Sequence, residues 1–214
     1  MEFKTFLSLK TKLKEIPLPG FKSHLLLVPP YRNGYLKNIN YNYINSKKAA
    51  VLIHFYPSHN DRLSFVLIER NTYPGIHSGQ ISFPGGKYDN QDKDLWATAL
   101  REANEELAIQ KSQVEHIKTL SKVFIPPSNF LVTPFLSYGT FRPNFIPEIS
   151  EVSGIIEFPL NFLLKTKISI NSIINSSKNS LEVPCFKYNQ KIIWGATAMI
   201  LSELKIIIQN TLTK

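Results

Sequence analysis

The sequence predicts an α/β/α sandwich, in which helices cover both faces of a central sheet. Three observations lead to this fold class. An amphipathic helix pattern occupies the middle of the chain, at Leu95–Leu107. Apolar segments typical of strands precede and follow it, and a second apolar helix pattern closes the chain at 195–209. Strands on both sides of one central helix, with another helix at the end, favour a layered α/β domain.

The remaining elements follow from local patterns in chain order. An N-terminal helix is expected over Phe3–Glu15, and Pro17, Pro19 and Gly20 end it. Runs rich in β-branched and aromatic residues, bounded by turn residues, predict the strands. These strands are expected at 49–56, 63–70, 80–83, 114–125, 130–141 with an interruption at Pro134, 151–158, 181–187 and 191–194. Residues 160–164 are compatible with a single helical turn.

The central helix carries the clearest pattern. Its apolar residues recur three or four positions apart, as one buried helix face requires. They are Trp96, Leu100, Ala103 and Leu107. Asp92 and Asp94 stand where an N-cap and an acidic first turn belong.

Composition is typical of one soluble domain with an arm. The chain has 214 residues, of which 43% are apolar, enough for a sizeable core. We expect residues 1–48 to form a helix and arm packed on a domain at 49–214. A single cysteine, Cys185, excludes an internal disulfide and fits a reducing compartment. No secretory signal and no apolar run of about 18 residues are present, so the sequence predicts a cytoplasmic protein without a membrane anchor.

The net charge of +9 favours anionic partners, which include phosphorylated metabolites and nucleic acids alike. The lysines are scattered along the chain, and no basic block of the kind found in nucleic-acid-binding arms is visible. We therefore expect a small-molecule substrate and no nucleic-acid partner. The sequence leaves open whether the protein forms a homodimer.

Three acidic residues near the end of the central helix are unusual. Glu102, Glu105 and Glu106 follow Arg101 at offsets that place their carboxylates on one side of the helix. Like charges at this spacing repel by about 0.2–0.5 kcal/mol per pair, and the helix dipole disfavours them at a C-terminus. A hard divalent cation such as Mg²⁺ would reverse both effects. A solvated acidic face is the simpler alternative, but the glycine pair Gly85 and Gly86 before the helix would let backbone approach a phosphate.

Residues 86–109 resemble the Nudix box, whose pattern is G-x5-E-x7-R-E-U-x-E-E-x-G-U with U a bulky aliphatic residue. REANEELAI at 101–109 matches the second half, with Ala103 at a U position and Ala108 replacing the last glycine. In the first half Asp92 replaces the glutamate, and one residue is inserted before Arg101. The resemblance implies a Nudix-type α/β/α sandwich with a mixed β-sheet. It also implies Mg²⁺ or Mn²⁺ bound by Glu102, Glu105 and Glu106, with Arg101 and Asp92 bracing the box.

The segment before the box resembles the coenzyme A diphosphatase subgroup of Nudix enzymes. LIER at 67–70 and HSGQISFPGG at 77–86 are similar to its signature, and the spacing of Gly85, Gly86, Asp89 and Asp92 is also found there. The resemblance implies hydrolysis of the diphosphate bond of coenzyme A or acyl-CoA, giving 3′,5′-ADP and 4′-phosphopantetheine or its acyl form. The expected substrate-binding residues are Arg70, His77, Gly85, Gly86 and Lys87. For Arg70, His77 and Lys87, an ordinary surface or structural role is the alternative.

The catalytic base is expected to be Glu105, with Glu151 as the second candidate. Two other functions stay open at this point. The enzyme could cleave another nucleoside diphosphate derivative, such as ADP-ribose or an oxidised nucleotide. The chain could also be a catalytically silent nucleotide- or RNA-binding protein, although such a protein has no reason to keep three mutually repelling acids.

Overall fold

The structure is a computed structural model, and it describes residues 1–30, 45–72, 77–174 and 180–213. The helices with at least five residues are α1 (Phe3–Glu15), α2 (Phe21–Leu25), α3 (Leu95–Leu107), α4 (Leu160–Lys165) and α5 (Gly195–Thr213). The strands are β1 (Lys47–Pro57), β2 (Leu63–Arg70), β3 (Ile81–Ser82), β4 (Gly85–Lys87), β5 (Glu115–Thr119), β6 (Val123–Ile125), β7 (Phe130–Tyr138), β8 (Val152–Pro159), β9 (Ser169–Ile174), β10 (Ser180–Tyr188) and β11 (Lys191–Trp194).

Eight strands form one mixed sheet, in the order β3-β2-β1-β7-β5, with β4 beside β1, β6 beside β7 and β8 beside β2. The long central pair, β1 and β7, is parallel, while the other pairs of this sheet are antiparallel. The last three strands form a separate antiparallel sheet in the order β11-β10-β9. The predicted fold class, an α/β/α sandwich with a mixed sheet, is confirmed.

Alternate residues of β1 show how the layers are built, because successive side chains of a strand point to opposite faces. Ala50 and Leu52 pack with Ala99 and Ala103 of α3 in one apolar cluster. Ile53 of β1, Phe65 of β2 and Leu136 of β7 belong to a second, larger cluster that includes residues of α1 and α5. Helix α3 therefore covers one face of the sheet, and α1, α5 and the small sheet lie on the other.

The N-terminal elements are part of the main core. Phe6 of α1 is fully buried, and its ring meets that of Phe55 at 5.3 Å in an edge-to-face arrangement. Leu13 and Leu27 are also buried. Residues 31–44 of the predicted arm lie outside the described residues, so the boundary at residue 48 stays a prediction.

Two strand predictions are wrong in detail. The segment 114–125 forms two strands, β5 and β6, rather than one. Strand β7 ends at Tyr138 and is not interrupted at Pro134, which pairs in register with Val51. The carbonyl of Pro134 accepts a hydrogen bond from Leu120 N in the gap between β5 and β6. Since the nitrogen of a strand residue points the same way as its carbonyl, the proline nitrogen faces this gap and the ladder between β7 and β1 is not interrupted.

The glycine pair, for which no strand was predicted, opens strand β4 on the edge of β1. Helix α2 and strand β9 were not predicted either. Within the described parts of the chain, no helix is both long enough and apolar enough to span a bilayer.

Candidate active site

The first part of the site is the glycine pair on β4, where Gly86 lies opposite Ala50 and Gly85 opposite Val51. Gly85 has φ +150°, and a Cβ there would lie 2.3 Å from the carbonyl oxygen of Ala50. A Cβ on Gly86 would lie 2.4 Å from Oε2 of Glu102. The backbone of β1 therefore requires glycine at the first position, whereas at the second position an added Cβ would displace the carboxylate of Glu102.

The loop before α3 is tied to the helix through Asp92 and Arg101. Nε of Arg101 donates to Oδ1 of Asp92 at 2.9 Å and Nη2 donates to Oδ2 at 3.0 Å, a bidentate pair. Thr98 Oγ1 and the backbone N of Asp89 donate to the same carboxylate. Hydrogen bonding from Arg101 is the main cause that lowers the pKa of Asp92 to about 2. The structure thus brings together the two residues of the predicted brace, and Asp94 takes the N-cap by accepting from Ala97 N at 2.8 Å.

Arg101 also holds two of the three box glutamates. Its Nη1 lies 2.9 Å from Oε1 of Glu102 and 2.8 Å from Oε2 of Glu105. The side chain of Glu102 is only 15% exposed, while that of Glu105 is 55% exposed. Burial raises the pKa of Glu102 from its ordinary value, and Arg101 acts in the opposite direction.

Glu106 is buried beside β4, the strand that contains Gly85 and Gly86. Its Oε2 accepts from the backbone N of Gly85 at 2.8 Å, and its Oε1 accepts from Nη1 of Arg70 at 3.2 Å. Burial is the main cause that raises the pKa of Glu106 to about 8. The charges of Glu102 and Glu151 raise the pKa further, so these three carboxylates lie close enough to influence one another.

The side chains of Glu102, Glu105 and Glu106 do not converge on one point. Among the described residues, no group of three or more His, Cys, Asp or Glu side chains has a metal-binding arrangement. Arg101 pairs with Glu102 and Glu105, while Arg70 and Gly85 N hold Glu106. The chemistry of the donors nevertheless fits a hard divalent cation, because neighbouring carboxylate oxygens, partly buried and mutually repelling, are the ligands that Mg²⁺ takes.

A cavity of about 1050 Å³ lies on the sheet face opposite α3. All five residues predicted to bind substrate line it: Arg70, His77, Gly85, Gly86 and Lys87. Nδ1 of His77 lies 3.2 Å from Oε1 of Gln80, another lining residue. Glu102 lies against Gly86 and Glu106 accepts from Gly85 N, so the backbone of β4 lies between these carboxylates and the cavity.

The second base candidate, Glu151, is exposed immediately before β8. Its backbone carbonyl accepts from Asn71 N at 2.9 Å, which ties this turn to the end of β2. Its charge contributes to the raised pKa values of Glu102 and Glu106. The structure thus brings Glu151 near the box carboxylates.

Sequence reasoning missed the far wall of the cavity. Phe130 and Trp194, which stand in predicted strands, are only partly buried, and both line the cavity. Leu181 and Ile174 of the small sheet extend the same apolar wall. The sequence contains no signal for this wall, since an apolar residue beside a cavity and one in the core look alike in a strand pattern.

Comparison with known proteins gives a consistent family result. The family model described as NUDIX domain matches residues 46–166. The uncharacterized Nudix hydrolase NudL of Citrobacter koseri is 34% identical over 193 residues, which cover 89% of this chain and 94% of that protein. NudL of Yersinia enterocolitica is 36% identical over 160 residues, covering 75% of this chain and 80% of that protein.

Two solved structures share the fold at low sequence identity. The Nudix hydrolase RenU of M. smegmatis gives a TM-score of 0.54 at 13% identity, covering 77% of this chain and 87% of that one. A MutT/nudix family protein from Enterococcus faecalis gives a TM-score of 0.52 at 14% identity, covering 84% of this chain and 68% of that one.

Proposed function

This chain belongs to the Nudix hydrolase family, and from that premise we propose that it is a metal-dependent coenzyme A diphosphatase. The proposed reaction hydrolyses the diphosphate bond of coenzyme A or acyl-CoA. The products are 3′,5′-ADP and 4′-phosphopantetheine or its acyl form. The single cysteine, Cys185, is free and buried, and we propose that the reaction takes place in the cytoplasm.

One observation supports the proposed site above all others. Arg70 lines the cavity and also donates a hydrogen bond to Glu106, which lies across β4 from the cavity. One residue therefore contacts both the space open to an anionic substrate and the acidic cluster. Arg binds phosphate well because its planar guanidinium can donate two parallel hydrogen bonds.

The proposed cation is Mg²⁺ or Mn²⁺, with Glu102, Glu105 and Glu106 as its ligands. When bound, such an ion neutralises the charge of the diphosphate and makes a bound water more acidic. Glu102 and Glu105 would exchange Arg101 for the ion, and Arg101 would keep its bidentate contact to Asp92. That contact leaves the brace between the loop and α3 intact while the glutamates change partners.

The other side chains act on the diphosphate and on the water. Lys87, which is exposed at the cavity, offers a point charge for a phosphate oxygen, and His77 lies on the loop that precedes the glycines. We assign the base to Glu105, since its carboxylate is 55% exposed and its ion pair is made on the helix surface with Arg101, four residues earlier. Glu151 is the second candidate.

We propose coenzyme A rather than another diphosphate because the segment at 77–86 resembles the coenzyme A diphosphatase subgroup. The glycines and the histidine of this segment line the cavity. The test is a substrate panel of coenzyme A, octanoyl-CoA, ADP-ribose, NADH and 8-oxo-dGTP with added Mg²⁺ or Mn²⁺. We expect kcat/KM to be highest for coenzyme A or octanoyl-CoA, and we expect exhaustive chelation to abolish turnover until either metal is returned. A higher value for ADP-ribose would overturn the substrate assignment. Full activity after chelation would overturn the metal assignment.

A further inference from the structure

The register of the sheet defines the floor of the cavity. Ala49 of β1 pairs with Lys87 of β4 on one side and with Val132 of β7 on the other. Two residues earlier on β1, Lys47 pairs with Phe130, and Phe130 pairs with Ile125 of β6. Paired residues of neighbouring strands share a face, so Lys47 stands on the face of the sheet that carries the cavity.

Lys47 lies at the rim of this cavity. Its Nζ is 5.9 Å from the ring centroid of Phe130, which lines the cavity, and its side chain is exposed. Among the described residues, no carboxylate lies within ion-pair distance of Lys47 or of Lys87. Within the part of the chain that the structure describes, Lys87 in the cavity lining and Lys47 beside the lining residue Phe130 are therefore two ammonium groups without an acidic partner.

The spacing of these two cations is suited to one ribose with two phosphates. Lys47 is two residues along β1 and one strand across from Lys87, which puts their Cα atoms about 8 Å apart for a rise of about 3.3 Å per residue and a strand separation of about 4.8 Å. A 5′-linked diphosphate and a 3′-phosphate on the same ribose are separated by the sugar alone. Phe130, whose ring centroid is 5.9 Å from Lys47 Nζ and which belongs to the apolar wall, offers a ring against which a nucleoside packs.

We propose that Lys47 recognises the 3′-phosphate of the substrate, so that the adenosine half lies over Phe130 with its 5′-diphosphate beside Lys87 and the glycine pair. This assignment rests on the proposed function. It makes Lys47 a specificity-determining residue that distinguishes 3′-phosphorylated adenosine diphosphates from ADP-ribose, NADH and dephospho-CoA, which lack this phosphate.

The test compares coenzyme A with dephospho-CoA, two molecules that differ only in the 3′-phosphate. We expect the parent to prefer coenzyme A by about tenfold in kcat/KM, a usual size for one charge-assisted contact. Lys47→Gln should bring this ratio close to one. The matched control is Lys48→Gln, which removes the same charge from the next residue, on the opposite face of β1, and should keep the parental ratio. An unchanged ratio in Lys47→Gln, or an equal loss in Lys48→Gln, would overturn the assignment.

A second measurement separates this inference from the proposed function. With whichever diphosphate substrate the enzyme turns over, 3′,5′-ADP should inhibit about tenfold more strongly than 5′-AMP, and Lys47→Gln should remove the difference. If the parent does not cleave coenzyme A but shows this Lys47-dependent inhibition, the phosphate site stands and the substrate assignment falls. Equal inhibition by the two nucleotides in the parent would refute the role of Lys47 whatever the substrate is.

Discussion

Alanine substitutions at the two adjacent glycines should separate folding from catalysis. The added methyl of Gly85→Ala meets backbone, since its Cβ would lie 2.3 Å from Ala50 O and 2.6 Å from Val51 Cα. The methyl of Gly86→Ala meets the end of a flexible side chain, at 2.4 Å from Glu102 Oε2. The first clash can be relieved only by moving β4 away from β1, whereas a rotation of Glu102 relieves the second.

The two costs follow from these contacts. Gly85→Ala combines an unfavourable φ, which costs about 1–3 kcal/mol, with overpacking against a strand, which costs about as much again. We therefore expect a loss of about 3 kcal/mol or more in the free energy of unfolding, or a fall in Tm of roughly 6–12 °C for a chain of this size. Gly86→Ala should cost about 1 kcal/mol or less, but it displaces Glu102 and should weaken divalent-metal affinity by about 10–100-fold.

The assays are thermal unfolding with a chelator present and the metal concentration that gives half-maximal rate. A double-mutant cycle tests the cause, because Gly86→Ala should lose its effect on stability when combined with Glu102→Ala, which removes the clashing carboxylate. Equal Tm losses for the two glycine variants, or an effect of Gly86→Ala that persists without Glu102, would refute the reasoning.

Two further predictions concern α3. Glu105→Gln should lower kcat by about 10²–10⁴-fold with little change in substrate binding, as expected for a general base, and a steady-state assay with coenzyme A measures this. Near-parental kcat in Glu105→Gln, together with a loss of kcat in Glu151→Gln, would reassign the base. Ala108 ends the helix at φ 57°, a left-handed conformation that costs about 1–2 kcal/mol outside glycine, so Ala108→Gly should raise Tm by about 2–4 °C. The same change inside the helix, Ala97→Gly, should instead lower the free energy of unfolding by about 1 kcal/mol, and a lower Tm for Ala108→Gly would contradict the strain.

The central helix was predictable to the residue because its sequence holds both the apolar period and the N-cap. Leu95–Leu107 carries the apolar face, and Asp94 supplies the cap. The helix also stops where expected although Ala108 replaces a glycine, since its amide still reaches the carbonyls of Ala103 and Asn104. Local patterns are sufficient wherever the determining contacts lie within a few residues.

Contacts between distant residues were not predictable in the same way. The sequence indicated repulsion among three glutamates, but not that Arg70, 36 residues earlier, would contact Glu106. The pairing of β4 with β1 was not predicted, because a pair of glycines does not form a strand pattern, although here the glycines make close packing possible. The cavity wall at Trp194 depends on how a second sheet packs against the first, and no local pattern specifies that packing.

The last prediction concerns how the buried carboxyl of Glu106 makes the free energy of unfolding depend on pH. Its carboxyl is 1% exposed, and burial raises its pKa to about 8 in the folded protein, whereas a carboxyl in an unfolded chain titrates near 4.3. The folded state therefore binds this proton more tightly than the unfolded state does. The contribution of the protonated Glu106 carboxyl to the free energy of unfolding is complete below about pH 4 and is lost as the pH rises towards about 8.

With a chelator present, Glu106→Gln should gain stability relative to the parent between pH 5 and pH 8, while Glu105→Gln, whose carboxylate is more than half exposed, should show little such trend. Chemical unfolding at the two pH values measures the difference, and a gain that does not depend on pH would exclude the buried charge as its cause. Added Mg²⁺ should reverse the order at pH 8, because a bound cation stabilises the parent by RT ln(1+[L]/Kd), about 2.7 kcal/mol at a hundredfold excess over Kd, and the variant has lost a ligand.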